Sequence, residues 1–321
     1  MDQPLLKITD LKKYFPVKSA FFGRPVSNVK AVDGVSFEIF RGESFGLVGE
    51  SGSGKTTLGQ TVLRMNDKTS GQVLFDGLDV HQLPKKEFQK LHTRMQYIFQ
   101  DPYSSLNPRI RIGDAIAEPL LAHGLATKAD VRGQVENILI QCGMAPRFMD
   151  RYPHEFSGGQ RQRIVIARAM ALNPEFIVAD EPVSSLDVSI QAQIINLFSD
   201  LQTERKLSYL FISHDLGIVE HLCSRIAIMY LGVIVELATK EELFSNPIHP
   251  YTKALLSAVP IPDPERKRSR IMLKGDIPNP ENPPSGCRFH TRCPYAKDIC
   301  REIVPEFRKV TDGHQVSCHC F

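Results

Sequence analysis

Residues 49–56, with the sequence GESGSGKT, restrict the possible folds of this chain more than any other stretch. They match the pattern G-x-x-x-x-G-K-[ST], in which backbone N–H groups and a lysine surround phosphate groups. The apolar residues 44–48 before them predict a buried strand, and residues 57–63 after them predict a helix. A strand, a glycine-rich turn and a helix N-terminus together present N–H donors and a positive dipole end to an anion. This stretch, which we call the phosphate loop, therefore predicts a site for a nucleoside triphosphate.

Two side chains of the phosphate loop have predicted roles. Lys55 is expected to reach the β- and γ-phosphates, and the hydroxyl of Thr56 is expected to ligate Mg²⁺. The other nucleotide contacts that we expect from this stretch are Gly49, Ser51, Gly52, Ser53, Gly54 and Thr57. A glycine-rich turn that binds nothing is the alternative, and the complete motif between a strand and a helix weighs against it.

The composition is that of a soluble globular protein. The 321 residues are 42% hydrophobic and 23% charged, and the net charge of +3 is too small to predict a nucleic-acid partner. No stretch approaches the roughly 18 consecutive apolar residues of a membrane helix. The first residues also lack the basic and apolar regions of a secretory signal. We therefore expect a cytosolic chain without structural disulfides and without nucleic acid as a partner.

Alternating and periodic apolar residues predict the parts that surround the phosphate loop. Residues 5–15 and 35–40 predict an antiparallel β edge, with residues 16–30 as a surface insertion. Phe15, with Tyr14 as second choice, ends the first strand and could stack on an adenine ring, while plain edge packing is the alternative. Apolar residues at helical spacing predict an inserted helical subdomain over about residues 101–165.

Polar residues follow three further predicted strands. Gln100, the pair Asp180 and Glu181, and His214 each come directly after an apolar run. In ATPases with a phosphate loop, the strand-end aspartate holds the Mg²⁺ shell, and an adjacent glutamate is placed to polarise the attacking water. A lone histidine is usually a satisfied core residue, but the position of His214 at a strand end favours a role in the site.

Together these motifs resemble those of ATP-binding cassette (ABC) ATPases. The discriminating element is SGGQRQR at residues 157–163, which other phosphate-loop classes lack. Phe156 replaces the usual leucine of this signature, and Ser185 replaces the usual alanine before Asp187, but neither change removes a catalytic group. The resemblance covers roughly residues 5–245. It implies an α/β fold with a RecA-like mixed sheet, an antiparallel β edge and an inserted helical subdomain.

The resemblance also implies a mechanism in which each ATP lies between two cassettes arranged head to tail. Glu181, His214 and Gln100 would be the catalytic residues for one nucleotide, and Thr56, Gln100 and Asp180 would hold its Mg²⁺. Ser157, Gly158 and Gly159 would reach the γ-phosphate bound by the partner, and Gln160 and Asp187 complete the expected nucleotide contacts. The helix N-terminus of the partner's signature would add hydrogen-bond donors at the γ-phosphate, where negative charge develops during hydrolysis. ATP would therefore join the two cassettes, and hydrolysis would separate them.

Residues 246–256, NPIHPYTKALL, narrow the resemblance further. They resemble the His-Pro-Tyr-Thr element that follows the cassette in ATPases of oligopeptide and dipeptide importers, and nickel importers of the same branch share it. Residues 181–193 resemble the second ATPase of these systems, the subunit usually labelled F. The implied organisation is an ABC ATP-binding domain over residues 1–245 and an importer-specific extension over residues 246–321 with a cysteine-rich tail.

The implied partners are those of a membrane importer. They are two transmembrane permease subunits, a second and non-identical ABC ATPase, and an extracytoplasmic solute-binding protein that acts through the complex. The chain would then be a peripheral protein on the cytoplasmic face of the membrane. The predicted docking cleft for a permease is residues 101–108, with exposed Tyr103 and Leu106 as its apolar contacts.

Two other functions stay open at this point. One is a soluble ABC ATPase that acts in translation, DNA repair or iron–sulfur assembly, against which the single cassette and the lack of a strongly basic stretch weigh. The other is an importer ATPase for nickel or another small solute, because the ATPase never touches the transported solute.

Five of the seven cysteines lie between residues 287 and 320. Three interpretations compete: an iron–sulfur cluster, a structural zinc with His290, His314 or His319 as alternative ligands, and free thiols that only pack. The tails of peptide-importer ATPases resemble this one, and a [4Fe–4S] cluster is reported for some of them. We therefore favour a [4Fe–4S] cluster, with zinc as the alternative, on Cys287, Cys293, Cys300 and Cys318.

Overall fold

A computed structural model describes residues 3–18, 25–259 and 270–321. The strands in these ranges are β1 (Leu6–Lys18), β2 (Pro25–Ile39), β3 (Ser44–Val48), β4 (Ser70–Phe75), β5 (Leu78–Asp79), β6 (Met95–Ile98), β7 (Phe176–Asp180), β8 (Ser208–Ser213), β9 (Arg225–Tyr230), β10 (Val233–Thr239), β11 (Phe307–Thr311) and β12 (His314–Ser317).

The helices in the same ranges are α1 (Lys55–Val62), α2 (Lys85–Arg94), α3 (Pro102–Ser105), α4 (Ile112–Ala122), α5 (Val131–Gln141), α6 (Gly158–Met170), α7 (Val188–Arg205), α8 (Leu216–Leu222), α9 (Lys240–Ser245), α10 (Pro250–Ala258) and α11 (Ile299–Glu302). Two 3₁₀ helices cover Pro146–Asp150 and Pro153–Glu155. No helix in the part of the chain that the structure describes is long and apolar enough to cross a membrane.

The chain divides into two compact units. Unit one comprises Met1–Phe40, Ser44–Gln82 and Ser213–Phe321, and unit two comprises Arg41–Glu43 and Leu83–Ile212. The predicted boundaries, at residue 245 and around the helical subdomain of residues 101–165, stay predictions.

Unit one contains an antiparallel sheet with the strand order β2-β1-β4-β5. The predicted insertion over residues 16–30 is wrong in part, because β1 continues to Lys18 and β2 begins at Pro25. Pro16 pairs with Asn28 and Val17 with Ser27, so cross-strand pairing extends the hairpin into a stretch whose composition favours a loop. Residues 19–24 of the predicted insertion lie outside the described residues.

A second set of strands in unit one has the order β11-β12-β10-β9-β3. All five residues of β3 are buried, and β3 pairs in parallel with β9. Continuous apolar runs of this kind are typical of parallel strands that are covered on both faces. The pairing is antiparallel between β9 and β10, between β10 and β12, and between β12 and β11. The C-terminal strands β11 and β12 thus extend this sheet.

Unit two contains the parallel strands β6, β7 and β8, with β7 in the middle and fully buried. The apolar periodicity predicted helices between residues 101 and 165, and α4 and α5 confirm it. Ile116 and Leu120 of α4 and Val135 and Leu139 of α5 are buried at the expected spacing. Strands and helices of both units thus confirm a mixed α/β fold with an antiparallel β edge.

Candidate functional site

The phosphate loop lies in unit one between β3 and α1, as its motif predicts. The Nζ of Lys55 donates to the carbonyl oxygens of Gly49 at 2.7 Å and Glu50 at 3.0 Å, and it lies 3.5 Å from the Oγ of Ser53. Only 4% of Lys55 is exposed. These contacts hold the ammonium group inside the loop, so the positive charge is in place before any anion is bound.

Two glycines of the loop have no room for a side chain. Gly54 has φ 103°, and a Cβ there would lie 2.0 Å from the carbonyl oxygen of Ala31. A Cβ on Gly49 would lie 2.2 Å from the carbonyl oxygen of Met229. Both positions therefore require glycine if the loop is to keep this shape. The other predicted contacts are exposed at Ser51, Gly52 and Thr56, half-buried at Thr57 and buried at Ser53.

Two residues of the C-terminal extension contact the phosphate loop. The hydroxyl of Tyr251 accepts a hydrogen bond from the N–H of Glu50 at 2.9 Å. The guanidinium of Arg292 makes a two-pronged ion pair with the carboxylate of Glu50, at 2.7 and 3.2 Å. The sequence predicted neither contact. The His-Pro-Tyr element indicated only a family relationship, and nothing in the spacing of Arg292 points to a partner 242 positions earlier.

Unit two places three of the predicted catalytic and metal-binding residues together. The carboxylate of Asp180 is 3% exposed and accepts a hydrogen bond from the hydroxyl of Tyr97 at 2.7 Å. The side chain of Glu181 accepts a hydrogen bond from the Nε2 of Gln100 at 3.0 Å. The sequence motifs did not identify Tyr97 as a partner of Asp180. Its position on β6, the strand next to β7, is the signal that could have indicated this contact.

The backbone of Glu181 is in the left-handed region, with φ 45°. This conformation costs a non-glycine residue about 1–3 kcal/mol, and it persists where the surroundings impose it. Here the N–H of Glu181 donates to the carbonyl oxygen of Ile212 at 2.9 Å, one strand away.

The structure separates the two candidates for stacking on adenine. The ring of Phe15 is 37% exposed and carries the Nζ of Lys13 at 4.7 Å from its centroid. The hydroxyl of Tyr14 donates to the carboxylate of Asp33, and burial together with that bond raises the pKa of Tyr14 to about 12. Phe15 is therefore the ring that is available for stacking. His214, also in unit one, is exposed directly after the last residue of β8.

The signature residues begin α6 in unit two. Ser157 is the N-cap, its Oγ accepts from the N–H of Gln160, and the Oε1 of Gln160 accepts from the N–H of Ser157 at 3.1 Å. This reciprocal capping fixes the first turn of the helix. A Cβ on Gly159 would lie 2.3 Å from the side chain of Ile190, so only glycine fits there. Ser157, Gly158, Gly159 and Asp187 line a cavity of about 470 Å³.

The structure confirms the predicted exposure of one of the two apolar residues of the docking cleft, and the binding of a permease there stays a prediction. Tyr103 is 65% exposed, and the guanidinium of Arg161 lies 4.0 Å from the centre of its ring. Leu106 is only 4% exposed, so the prediction that it is a surface contact is wrong. The physical reason is that Leu106 follows a single helical turn, α3, and points into the core of unit two.

The structure does not support the predicted [4Fe–4S] cluster or the zinc alternative. Among the described residues, no group of three or more His, Cys, Asp or Glu side chains has the arrangement of a metal site. Cys318 packs with Ile248 and Val316 in a buried apolar cluster. Burial raises the pKa of the Cys287 thiol to about 11 and that of Cys318 to about 12, and neighbouring cysteines add to both shifts. The packing of Cys318 is that of a free thiol.

The two units carry different sets of the predicted groups. Unit one supplies the phosphate loop, Phe15 and His214, and unit two supplies Asp180, Glu181 and Gln100 together with the signature. Backbone donors, a buried lysine and hydroxyl and carboxylate oxygens are the ligands that a nucleoside triphosphate and Mg²⁺ require. The assignment of both sets to one nucleotide stays a prediction.

Comparison with known proteins agrees with these observations. Residues 32–184 match the model of the ABC transporter family. Residues 235–300 match the model of the oligopeptide/dipeptide transporter C-terminal region. The oligopeptide transport ATP-binding protein AppF of Bacillus subtilis is 53% identical over 99% of this chain and 98% of its own length.

Solved structures agree as well. The ATP-binding cassette MJ0796, in a dimeric post-hydrolysis state bound to ADP and phosphate, is 26% identical with a TM-score of 0.65. The alignment covers 73% of this chain and 98% of that one. cbiO1 of Clostridium perfringens, part of an ABC transporter complex, gives the same identity and TM-score over 76% of this chain and 92% of its own. The chain belongs to the ABC transporter ATPases, in the branch that carries the oligopeptide/dipeptide transporter C-terminal region.

Proposed function

We propose that this chain is the ATP-hydrolysing subunit of a membrane importer for oligopeptides or dipeptides. The observation that carries the proposal is the oligopeptide/dipeptide transporter C-terminal region at residues 235–300, on a chain that also has the phosphate loop and the signature. AppF, which is named for oligopeptide transport, matches the chain from end to end at 53% identity.

In this proposal the phosphate loop and Lys55 hold the β- and γ-phosphates, while Thr56, Gln100 and Asp180 would hold Mg²⁺. When bound, the metal ion would neutralise charge on the phosphate oxygens. Glu181 accepts a proton from the attacking water and orients it, as a general base. The hydrogen bond between Gln100 and Glu181 supports this role, because it fixes the direction of the carboxylate. His214 contacts the γ-phosphate, and Phe15 stacks on adenine.

The second cassette of the assembly is proposed to be a different chain. The cavity lined by Ser157, Gly158 and Gly159 receives the γ-phosphate that the partner holds. The start of α6 supports this proposal, since Ser157 is exposed there and the N-terminal dipole end of a helix attracts an anion. ATP then joins the two chains, and hydrolysis lets them part.

The remaining proposed partners are two permease subunits and an extracytoplasmic solute-binding protein. The exposed ring of Tyr103 supplies an apolar contact for a permease helix. The chain would act from the cytoplasmic face of the membrane as a peripheral subunit.

The experiment that tests the proposal is affinity purification of the tagged chain from detergent-solubilised membranes, followed by mass spectrometry. We expect two permeases and a second ATPase in stoichiometric amounts, and a solute-binding protein whose bound peptides can be identified. The matched control is the same tag on an unrelated cytosolic ATPase.

A different set of partners would contradict the proposal. Recovery of ribosomes, DNA-repair factors or cluster-assembly proteins without permeases would exclude the importer function. Recovery of permeases with a binding protein loaded with nickel would keep the importer and exclude peptides as its solute.

A further inference from the structure

The phosphate loop contains an acidic residue directly after its first glycine. Glu50 lies in the loop that is proposed to surround a polyphosphate, and its carboxylate is 28% exposed. A negative charge at this place opposes the binding of another anion, because two like charges a few ångströms apart repel by several kcal/mol near a protein surface. The loop therefore needs a cation to cancel the charge of Glu50.

Arg292 is that cation, and it comes from the cysteine-rich tail. Its guanidinium binds both carboxylate oxygens of Glu50, and only 8% of its side chain is exposed. Two parallel N–H···O bonds between a guanidinium and a carboxylate are stronger and better directed than a single ion pair. Burial disfavours the charged guanidinium, but the bonds to Glu50 outweigh it and hold the pKa of Arg292 above its ordinary value.

The peptide groups of Glu50 are held at the same time. The N–H of Glu50 donates to the hydroxyl of Tyr251, and its carbonyl oxygen accepts from the Nζ of Lys55 and from the N–H of Ser53 at 3.2 Å. Glu50 is thus fixed through its side chain, its N–H and its carbonyl. Two of these three attachments come from residues beyond 245, in the C-terminal extension.

An aromatic cluster fixes the position of Arg292 relative to the loop. The ring of Tyr230 lies 4.8 Å from that of Tyr251 and 5.3 Å from that of Phe289. Arg292 lies 5.9 Å from the ring of Tyr230. Phe289 is 1% exposed and belongs to the same turn of the tail as Arg292, so the packing of Phe289 places the guanidinium.

We propose that Arg292 is a positioning residue for the phosphate loop, and that it makes nucleotide affinity depend on the docked C-terminal tail. Arg292 cancels the charge of Glu50 and, with Tyr251, holds the start of the loop in its anion-binding shape. The proposal rests on the proposed function in that the loop binds a nucleotide. The positioning role adds that residues outside the cassette motifs set the affinity of the phosphate loop for the nucleotide.

The test is the affinity of the purified full chain for MgADP, measured by isothermal titration calorimetry. ADP occupies the loop but avoids the ATP-driven joining of two cassettes. We expect Arg292→Ala to weaken binding about 10-fold, the lower range of measured couplings between groups in contact. Glu50→Gln should remove most of this loss, so that the double variant binds within about 3-fold of Glu50→Gln alone.

Arg308→Ala is the matched control. Arg308 belongs to the same tail and donates to the carbonyl oxygen of Cys318 at 3.1 Å, on the exposed strand β11. Its removal should leave the MgADP affinity unchanged. If Arg292→Ala does not fold, Arg292→Lys replaces it. Lysine keeps the charge but not the two-pronged geometry, so we expect a smaller loss of MgADP affinity than for Arg292→Ala. Adding Glu50→Gln should remove this loss as well.

The outcomes separate the two proposals. A wild-type chain that binds neither MgADP nor MgATP would contradict the proposed function itself. A wild-type chain that binds MgADP, with Arg292→Ala or Arg292→Lys binding equally well, would overturn the positioning role alone. A loss of affinity that Glu50→Gln does not reduce would also overturn it, because Arg292 would then act only through the stability of the tail.

Discussion

At the scale of single residues, the most informative geometry is that of Glu181. Its N–H is held by Ile212 on the neighbouring strand and its carboxylate by Gln100, while its φ is 45°. The chain therefore accepts backbone strain in order to present one carboxylate in one direction. That arrangement suits a group that must orient a water molecule rather than one that only neutralises charge.

We predict that Glu181→Gln lowers ATP turnover by about 10²–10⁴-fold, the range of a lost general base, and changes ATP affinity by less than about 3-fold. Glutamine keeps the size and the hydrogen-bond acceptor for Gln100 but cannot take a proton. The measurement is steady-state phosphate release by the copurified assembly, together with ATP binding by the purified chain.

The matched control is Glu204→Gln, the same substitution on the exposed surface of α7. Its turnover should equal that of the wild type. Ordinary turnover by Glu181→Gln would remove Glu181 from the role of general base.

At the scale of elements, the start of α10 is held by a buried carboxylate. Glu236 of β10 is fully buried and accepts from the N–H groups of Ile248 and His249 at 2.7 and 3.0 Å. The Nε2 of His314 on β12 lies 2.6 Å from the same carboxylate. His249 is the N-cap of α10, because its Nδ1 accepts from the N–H of Tyr251 at 3.1 Å. One carboxylate thus joins two strands to the helix that carries Tyr251.

His249 makes stability depend on pH. Burial lowers its pKa to about 4 from an ordinary value of 6.5, although the charge of Glu236 opposes that shift. Between these two values the unfolded chain binds more protons than the folded one, so the free energy of unfolding falls as the pH falls. Between pH 7 and pH 5, protonation of this histidine in the unfolded chain should lower the free energy of unfolding by about 2 kcal/mol, at 1.36 kcal/mol per pKa unit.

Replacing His249 with Asn tests this prediction, because asparagine is also a good N-cap but does not titrate. We expect urea unfolding to show a drop in stability between pH 7 and pH 5 that is about 2 kcal/mol smaller in His249→Asn than in the wild type. Other titrating groups contribute equally to both proteins and cancel in the difference. Equal drops in the two proteins would show that His249 is not held in its neutral form.

At the scale of the whole molecule, the proposed assembly requires a surface for the permease. Tyr103 is an exposed aromatic ring on α3, three residues after Gln100, the residue proposed to contact Mg²⁺. Aromatic anchors of this kind carry a large share of binding energy at interfaces. A permease that contacts α3 would thereby be coupled to the state of the nucleotide through a few residues of backbone.

We predict that Tyr103→Ala lowers the recovery of permeases in the affinity purification at least about 10-fold, as expected for the loss of a hot-spot residue. The purification is made without nucleotide, so that joining of the cassettes does not affect it. Binding of MgADP should stay within about 2-fold of the wild type, because the phosphate loop does not contain this residue.

Tyr295→Ala is the matched control, since Tyr295 is 60% exposed in the C-terminal tail. Its recovery of permeases should equal that of the wild type. Equal recovery by the Tyr103 and Tyr295 variants would place the permease contact elsewhere.

Much of the site was accessible from the sequence because its parts are local. The phosphate loop, the capped signature at Ser157 and the pair Asp180 and Glu181 are each set by neighbours in the chain. Glycines, caps and apolar strands specify backbone geometry over a few residues, and that geometry directly creates the donors and carboxylates. Predictions that depended on such short stretches were confirmed in their placement on strands and helices.

Contacts between distant parts of the chain were decided only by the tertiary structure. The ion pair of Arg292 with Glu50, the burial of Leu106 and the packing of Cys318 against Val316 all depend on which surfaces meet. A tail with five cysteines predicted a metal, yet the described structure packs one of them, Cys318, in an apolar cluster and shows no metal site. The sequence by itself thus determined the family and the chemistry, because motifs encode local backbone shape. Packing decided what supports that chemistry, because burial and charge pairing are properties of the whole fold.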